Sequence, residues 1–288
     1  MMAELSSDRL EELSATRVLS RQRNLLGLRV EDWTMAELVG ALDGSVVRRQ
    51  PVHVWGISVP FFGMVRRFPQ IVEFSQQFDV VIPDGAGIAP IGRLLGVPIR
   101  AHVGLPQLAS AMIELAVQRG YRLLLLGATP AVNAEAGRRL LLQYPDLDLC
   151  PGIDGYYPPE AEEAVARQIH DLKPDVLLVG MSLPKKENFL LRWKDAMQVP
   201  VAIACGGYLD VLAGKTTLAP KLIERLAFSW LWRFIQEPRR FFSRILVNEL
   251  LFVFYILPVA LFQRVVAPNQ RLRTTVQSLG AFRTKTKI

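Results

Sequence analysis

The stretch "YRLLLLGATPAVNAEAGRRLLLQYP" (Tyr121–Pro145) decides the fold class of this chain. A continuous apolar run ends in a Gly-Ala-Thr-Pro turn, and a helical pattern of small, charged and apolar residues follows. Continuous apolar runs are typical of strands that are covered on both faces of a sheet. A strand that leads directly into a helix indicates a βαβ unit and therefore a parallel sheet.

The same succession of strand, turn and helix recurs along the chain. Apolar runs lie in "VHVWGISV" (52–59), "DVVIPDG" (79–85), "DVLLVGMSLP" (175–184) and "VPVAIACGG" (199–207), each beside a helical pattern. We therefore predict an α/β fold with a mostly parallel, Rossmann-like sheet flanked by helices. Ligands bind at the carboxyl ends of the strands in such sheets, and the glycine-rich and charged turns of this chain fall at those ends.

Charge and hydropathy divide the chain into three segments. Residues 1–24 form a polar extension without the apolar core of a signal peptide, 25–214 the expected catalytic α/β domain, and 215–288 a basic, hydrophobic appendage. The appendage contains 13 Lys or Arg against three acidic residues, so the first 214 residues carry −3 of the total +7. This asymmetry indicates an anionic partner for the appendage.

Cys150 and Cys205 have no metal-binding spacing and indicate free thiols in a reducing compartment.

An acidic residue, Asp84, stands at the end of one predicted strand in "PDGAGI". Asp-Gly is common turn chemistry, which is one interpretation. The two glycines Gly85 and Gly87 favour another, because they leave room for a ligand beside the carboxylate. A carboxylate at a strand end can act as a general base, and the residues alone leave both interpretations open.

Two further turns have the chemistry of anion sites. Gly127 and Thr129 stand where a strand meets a helix, so that backbone amides could receive a phosphate, although an ordinary turn explains them equally well. Lys185 and Lys186 precede a helix, where their charges oppose the helix dipole unless an anion binds. The dinucleotide fingerprint G-x-G-x-x-G is absent, which disfavours an oxidoreductase.

Other catalytic classes lack their defining residues. The segment "AGKTT" (213–217) is no P-loop, because Leu209 occupies the position of the first required glycine. The histidines His53, His102 and His170 are scattered and form neither a triad nor a metal set. We therefore expect no metal and no cofactor.

The appendage combines aromatic, aliphatic and basic residues. Its longest apolar run, Leu250–Phe262, contains Pro258 and is shorter than the ~20 residues of a spanning helix. Arg244 and Arg264 flank this run, so we predict an interfacial helical segment on the membrane surface. A buried core helix and a shallow re-entrant hairpin are the alternatives. The density of Leu, Phe and Trp argues against nucleic-acid binding.

Four stretches in this order resemble the TagA/WecG/CpsF family, glycosyltransferase family 26: "PDGAGI", "LLLLGATP", "VGMSLPKKENF" and "CGGYLDVLAGKTTLAPKLIERLAFSWLWRFIQEPRR". The resemblance runs from about Leu25 to Arg240, and the last stretch is the most specific, with G-G-x-x-D-x-x-A-G and R-x-x-x-E-P-x-R. It implies inverting, metal-independent transfer of a hexose, N-acetylhexosamine or uronic acid, with UDP as the expected carrier. The acceptor would be a polyprenyl-diphosphate-linked saccharide in bacterial exopolysaccharide, capsule or cell-wall polymer synthesis.

The resemblance also implies residue roles, with Asp84 as the catalytic general base. Donor binding is assigned to Ser58, Gly85, Gly87, Gly127, Thr129, Ser182, Lys185, Lys186, Glu187, Gly206, Gly207 and Asp210. Binding of the acceptor or the diphosphate is assigned to four arginines of the appendage, Arg225, Arg233, Arg239 and Arg240.

The chain departs from the family pattern at three places that bear on the donor, one of which is the absence of an acidic residue in "RAHVGLPQL", where Pro106 lies nearby. Gly56–Ser58 replaces T-x-N, and Lys186 replaces the glutamine of P-K-Q-E. The expected partners are a nucleotide-sugar donor, the polyprenyl-linked acceptor and the cytoplasmic membrane, with the chain attached peripherally to its inner face. A homo-oligomer is compatible with the sequence. The alternative function is a non-catalytic, membrane-associated component of a polysaccharide assembly complex.

Overall fold

A parallel sheet forms the centre of the structure, a computed structural model that describes residues 21–100, 103–242 and 247–266. The strands are β1 (Gln22–Leu25), β2 (Leu28–Glu31), β3 (Val52–Ile57), β4 (Val80–Pro83), β5 (Leu123–Gly127), β6 (Val176–Gly180) and β7 (Val201–Ile203). Five of them form one sheet in the order β4-β3-β7-β6-β5, with all neighbours parallel. The predicted parallel α/β fold is confirmed.

Helices connect the strands and cover both faces of the sheet. They are α1 (Met35–Arg48), α2 (Pro60–Met64), α3 (Ile71–Gln77), α4 (Ile88–Leu94), α5 (Leu105–Arg119), α6 (Pro130–Gln143), α7 (Glu162–Leu172), α8 (Lys185–Met197), α9 (Tyr208–Leu212), α10 (Lys221–Arg225), α11 (Ser229–Gln236), α12 (Pro238–Phe241), α13 (Val247–Leu251) and α14 (Leu257–Val266). A π-helical turn, Phe252–Ile256, joins α13 to α14. Helix α1 starts with a capping box, because Thr34 Oγ1 accepts from Glu37 N and Glu37 Oε2 accepts from Thr34 N.

Alternate residues of the central strands enter two separate hydrophobic cores. Leu124 and Leu126 of β5 pack in the core under α2, α3, α7 and α8, whereas Leu123 and Leu125 pack in the core under α1, α5 and α6. All four side chains are buried. The continuous apolar runs of the sequence therefore reflect a sheet that is covered on both faces, as predicted.

An antiparallel hairpin of β1 and β2 precedes the sheet and was not predicted from the sequence. Its two-residue turn has positive φ at both Leu26 (54°) and Gly27 (96°), and Gly27 N donates to Asn24 Oδ1. Leu25 and Leu28 are buried in the core of the α2 face. The first strand of the described residues thus begins at Gln22, three residues before the domain start predicted at residue 25.

Within the described part of the appendage, one side of the segment from α13 to α14 packs against the α/β domain. Phe252, Ile256 and Ala260, spaced by four residues, are buried in the core of the α2 face, and the Phe252 ring lies 5.3 Å from that of Phe62. The core-helix interpretation therefore holds for this side. The intervening Phe254 and nearby Phe262 are exposed. Among the described residues, no helix combines the length and hydrophobicity that crossing a bilayer requires.

Glu249 at the start of these helices gives a test of this packing. It is buried, and burial raises its pKa from 4.5 to about 7. Between pH 4.5 and about 7, the unfolded chain releases this proton while the folded chain still holds it. The free energy of unfolding therefore falls as pH rises through this range and is lowest above the folded-state pKa. We expect Glu249→Gln to raise the free energy of unfolding by about 1–3 kcal/mol at about pH 8 and to change it little at about pH 4.5.

Urea unfolding at the two pH values measures this difference. Glu73→Gln, at an exposed position of α3, is the matched control for removing one carboxylate. An equal effect of Glu249→Gln at both pH values would contradict the buried position of the side chain.

Candidate active site

The carboxyl ends of the parallel strands surround one cavity of about 590 Å³. Its walls come from the turns after β3, β4, β5, β6 and β7, as expected for a parallel α/β sheet. Ten of the predicted site residues line it, namely Ser58, Asp84, Thr129, Ser182, Lys185, Lys186, Gly206, Gly207, Asp210 and Arg233. The lining as described does not include Gly85, Gly87, Gly127, Glu187 or Arg239. The side chains of Arg225 and Arg240 lie outside the described residues.

Asp84 follows β4 directly and is held at the cavity from two sides. Its backbone N–H donates to Ile57 O at 2.9 Å, and its carboxylate Oδ1 accepts from Leu105 N, the first amide of α5, at 2.9 Å. A Cβ at Gly56 would lie 2.9 Å from the Asp84 Cβ and 2.7 Å from the Leu105 side chain. Gly56 is therefore required for this approach, and the bonded carboxylate belongs to a fixed site rather than to a mobile turn.

The predicted phosphate turn after β5 is a rigid junction between two strand ends. A Cβ at Gly127, whose φ is +124°, would lie 2.5 Å from the backbone of Gly180, so only glycine fits. At the start of α6, Thr129 Oγ1 accepts from Val132 N, and Pro130 has no N–H. These features reduce the number of amides that can bind a phosphate at this helix start. A phosphate role for Gly127 and Thr129 stays a prediction.

Asn133 stabilises the same junction through hydrogen bonds from its side-chain amide. Its Nδ2 lies within 3.2 Å of the carbonyl oxygens of Leu125, Gly127 and Ile153, and the residue is buried. These contacts satisfy carbonyls at the end of β5 and in the loop that follows α6. The sequence analysis did not single out Asn133, because its partners are remote in the chain.

Lys185 binds a loop rather than standing open to a ligand. Its ammonium donates to Gly155 O at 2.8 Å and Tyr157 O at 3.1 Å, and it lies 3.8 Å from the centre of the Tyr157 ring. The loop that it holds places Tyr156 at the cavity, where 76% of this side chain is exposed. Tyr156 was missed by the sequence analysis, since an exposed aromatic residue in a loop has no distinguishing pattern.

Lys186 forms a buried ion pair beneath the cavity. The residue is 4% exposed, and its ammonium contacts Oε1 of the fully buried Glu187. The same oxygen accepts from Trp55 Nε1 at 3.0 Å. Glu187 does not line the cavity but holds Trp55 and Lys186, which both line it. Two of the predicted donor-binding residues thus form one electrostatic unit.

The appendage completes the wall of the cavity through Lys215 and Arg233. Lys215 Nζ lies 3.1 Å from Asp210 Oδ1 and 3.6 Å from Glu237 Oε1, so it links the α/β domain to the end of α11. A Cβ at Gly207 would lie 3.2 Å from Arg233 Nη1, which shows how closely the guanidinium approaches the β7 turn. Among the four predicted appendage arginines, Arg233 is the one that the described residues place in the cavity.

The charges of the cavity suit an anionic ligand beside a proton acceptor. Lysine and arginine side chains outnumber carboxylates among the lining residues, with Arg233 and the lysines set against Asp84 and Asp210. Cys205 also lines the cavity, and burial raises the pKa of its thiol to about 12, which disfavours the thiolate form. Both cysteines are free and buried.

No group of three His, Cys, Asp or Glu side chains suited to a metal ion occurs in the described ranges. His53 is buried within β3, and burial lowers its pKa to about 4. His170 is exposed on α7, and His102 lies outside the described residues.

The amino-acid sequence is similar to those of known proteins. Residues 23–265 match the model of the Glycosyl transferase WecG/TagA/CpsF family. A Bacillus spizizenii protein, an N-acetylglucosaminyldiphosphoundecaprenol N-acetyl-beta-D-mannosaminyltransferase, is 28% identical over 162 residues, which are 56% of this chain and 62% of that protein. A Staphylococcus aureus (strain MRSA252) protein of the same name is 28% identical over 169 residues, or 59% and 66%.

The alignments span less than two thirds of the length of each of these relatives. The family match extends past Arg240, where the resemblance in motifs ended, and into α14. Since it includes every strand and helix that lines the cavity, this chain belongs to the glycosyl transferase WecG/TagA/CpsF family.

Proposed function

We propose that this chain is an inverting glycosyltransferase that moves a sugar from a nucleotide-diphosphate donor to a polyprenyl-diphosphate-linked saccharide. The observation that supports it most is that Asp84 and Arg233, an acid and a cation remote in sequence, line one cavity. The names of the relatives favour N-acetylmannosamine as the sugar and N-acetylglucosaminyl-diphosphoundecaprenol as the acceptor. The product would enter the synthesis of a bacterial cell-envelope polysaccharide.

In the proposed reaction, the acceptor hydroxyl oxygen attacks the anomeric carbon from the face opposite the diphosphate. Asp84 takes the hydroxyl proton as the new carbon–oxygen bond forms. The bond from the anomeric carbon to the diphosphate breaks, and its electron pair leaves with the nucleoside diphosphate. Arg233 offsets the charge that develops there, because a guanidinium can donate two parallel hydrogen bonds to phosphate oxygens.

Tyr156 is suited to bind the nucleobase of the donor. Its ring is exposed at the cavity, and its backbone is fixed because Tyr156 N donates to Asp154 Oδ1 at 2.8 Å. An aromatic face held by a rigid loop can stack on a base at low entropic cost. The Lys185 contacts with the same loop would then support donor binding indirectly.

Replacing Asp84 tests the general base. Asp84→Asn keeps an oxygen for the Leu105 amide but removes the basic carboxylate. We expect kcat to fall by about 10²–10⁴-fold, with little change in thermal stability or in UDP affinity. Turnover is measured with labelled UDP-sugars and a short polyprenyl-diphosphate-linked N-acetylglucosamine.

The control is Asp171→Asn, which removes an exposed carboxylate on α7 far along the chain from the cavity turns. Full activity of a folded Asp84→Asn variant would rule out Asp84 as the base. An Asp171→Asn variant with the same loss would show that the assay reports on charge or stability instead.

Metal independence is a second test of the mechanism. We propose that protein cations, Arg233 above all, stabilise the leaving diphosphate, so that no divalent ion is required. Excess EDTA should therefore leave kcat/KM within about twofold of its value in added Mg²⁺, whereas Arg233→Gln should lower it by about 10²-fold or more. Loss of turnover in EDTA that Mg²⁺ restores would contradict this part of the proposal.

We also propose that the chain attaches peripherally to the inner face of the cytoplasmic membrane through α13 and α14. Val253, Phe254 and Tyr255 of the π-helical turn between these helices are exposed, as is Phe262 of α14. Exposed aromatic and aliphatic residues next to arginines are typical of segments that lie in the headgroup region of anionic membranes. Such attachment would bring the cavity to a lipid-linked acceptor.

Vesicle binding tests this attachment. Phe254→Ser with Phe262→Ser should weaken co-sedimentation with phosphatidylglycerol vesicles by about tenfold or more, because two large apolar side chains no longer insert. The matched control is Leu142→Ser, which removes an equally exposed apolar side chain from α6. Equal binding of all three proteins would show that neither the π-helical turn nor α14 touches the membrane.

A further inference from the structure

A hydrogen-bonded clamp joins the last residue of α11 to the loop that precedes α10. Gln236 Oε1 accepts from Thr217 N at 2.7 Å, and Gln236 Nε2 donates to Thr217 O at 3.1 Å. One side-chain amide thus satisfies both backbone groups of a single residue, as a neighbouring strand would. Trp232 Nε1 adds a bond of 3.3 Å to Thr217 Oγ1, so α11 contacts Thr217 through two of its turns.

This clamp matters because no residue of α11 is fully buried. Leu231 and Ile235 are exposed, and its other six residues are only half-buried. A helix of about two turns is unstable by itself in water, so tertiary contacts must fix its position. Polar contacts with the loop around Thr217 supply that constraint at one end of the helix.

Arg233 is the residue of α11 that depends on this position. It adjoins Trp232 and precedes Gln236 by three residues, which places its side chain on the neighbouring part of the helix surface. Its guanidinium lines the cavity beside Gly207. A small rotation of α11 would move the guanidinium at the end of its long side chain by more than the tolerance of a hydrogen bond.

We propose that Gln236 is a positioning residue for the transfer reaction and acts through Arg233. The clamp on Thr217 holds α11 so that the guanidinium meets the departing diphosphate. Gln236 itself touches neither substrate nor the reacting atoms. This inference rests on the proposed function, since it assigns Arg233 to the leaving group.

A double-mutant cycle in the full-length chain tests the inference. Gln236→Met keeps the length of the side chain and removes all three bonds to Thr217, including the one that Thr217 Oγ1 donates to Gln236 Oε1 at 3.3 Å. We expect it to lower kcat/KM by about tenfold in the wild-type background, mainly through kcat, because Arg233 acts on charge that develops in the transition state. In an Arg233→Gln background the same change should alter kcat/KM by less than about twofold.

Ile235→Met is the matched control, since it alters an exposed neighbour on the same helix without touching the clamp. It should leave kcat/KM unchanged. Hydrogen exchange of the α11 amides gives a readout apart from turnover: exchange should quicken in Gln236→Met and not in Ile235→Met.

The outcomes separate the two proposals. Wild-type protein that shows no sugar transfer overturns the proposed function and this inference together. Active wild-type protein with an unchanged Gln236→Met variant overturns the positioning role alone. An equal loss in the wild-type and Arg233→Gln backgrounds also overturns it, because Gln236 would then act by a route other than Arg233.

Discussion

One hydrogen bond, donated by Leu105 N to Asp84 Oδ1, fixes the position of the Asp84 carboxylate, and the candidate active site depends on that position. It joins the end of β4 to the start of α5, the helix that leads across the sheet from β4 at one edge to β5 at the other. The first amide of a helix has no partner within the helix, and a carboxylate both satisfies it and suits the positive end of the dipole. Gly56 makes the approach possible because any larger residue would collide with both partners.

The lysines that follow β6 have a different role from the one their charge indicates. Lys185 is directed to the carbonyls of Gly155 and Tyr157, and Lys186 is paired with Glu187. Both cations therefore stabilise the wall of the cavity, although each also lines it. The conflict between two lysines and the dipole of α8 is relieved within the protein, by a loop and a buried carboxylate, so a bound anion is not needed to explain them.

Local pattern was enough to predict the sheet and the position of Asp84 at a strand end. These features depend on residues close in sequence, where periodicity and turn chemistry are informative. The hairpin at Leu26 and the loop contacts of Lys185 were not predictable, because they depend on partners brought together by the fold. Tyr156 belongs to the same class, since its position is fixed by Lys185, a residue in another element.

Helix α2 connects the cavity to the appendage. Phe61 and Met64 line the cavity, whereas the intervening Phe62 is fully buried against Phe252. On the same side, a Cβ at Gly63 would lie 2.8 Å from Asn248, so only glycine allows α13 to approach so closely. A five-residue helix has little stability of its own, and packing of the appendage on one side of α2 therefore fixes the side that faces the cavity. Helix α13 and the π-helical turn thus support the cavity wall through α2, on the side away from the cavity, whereas Arg233 of the appendage lines the cavity itself.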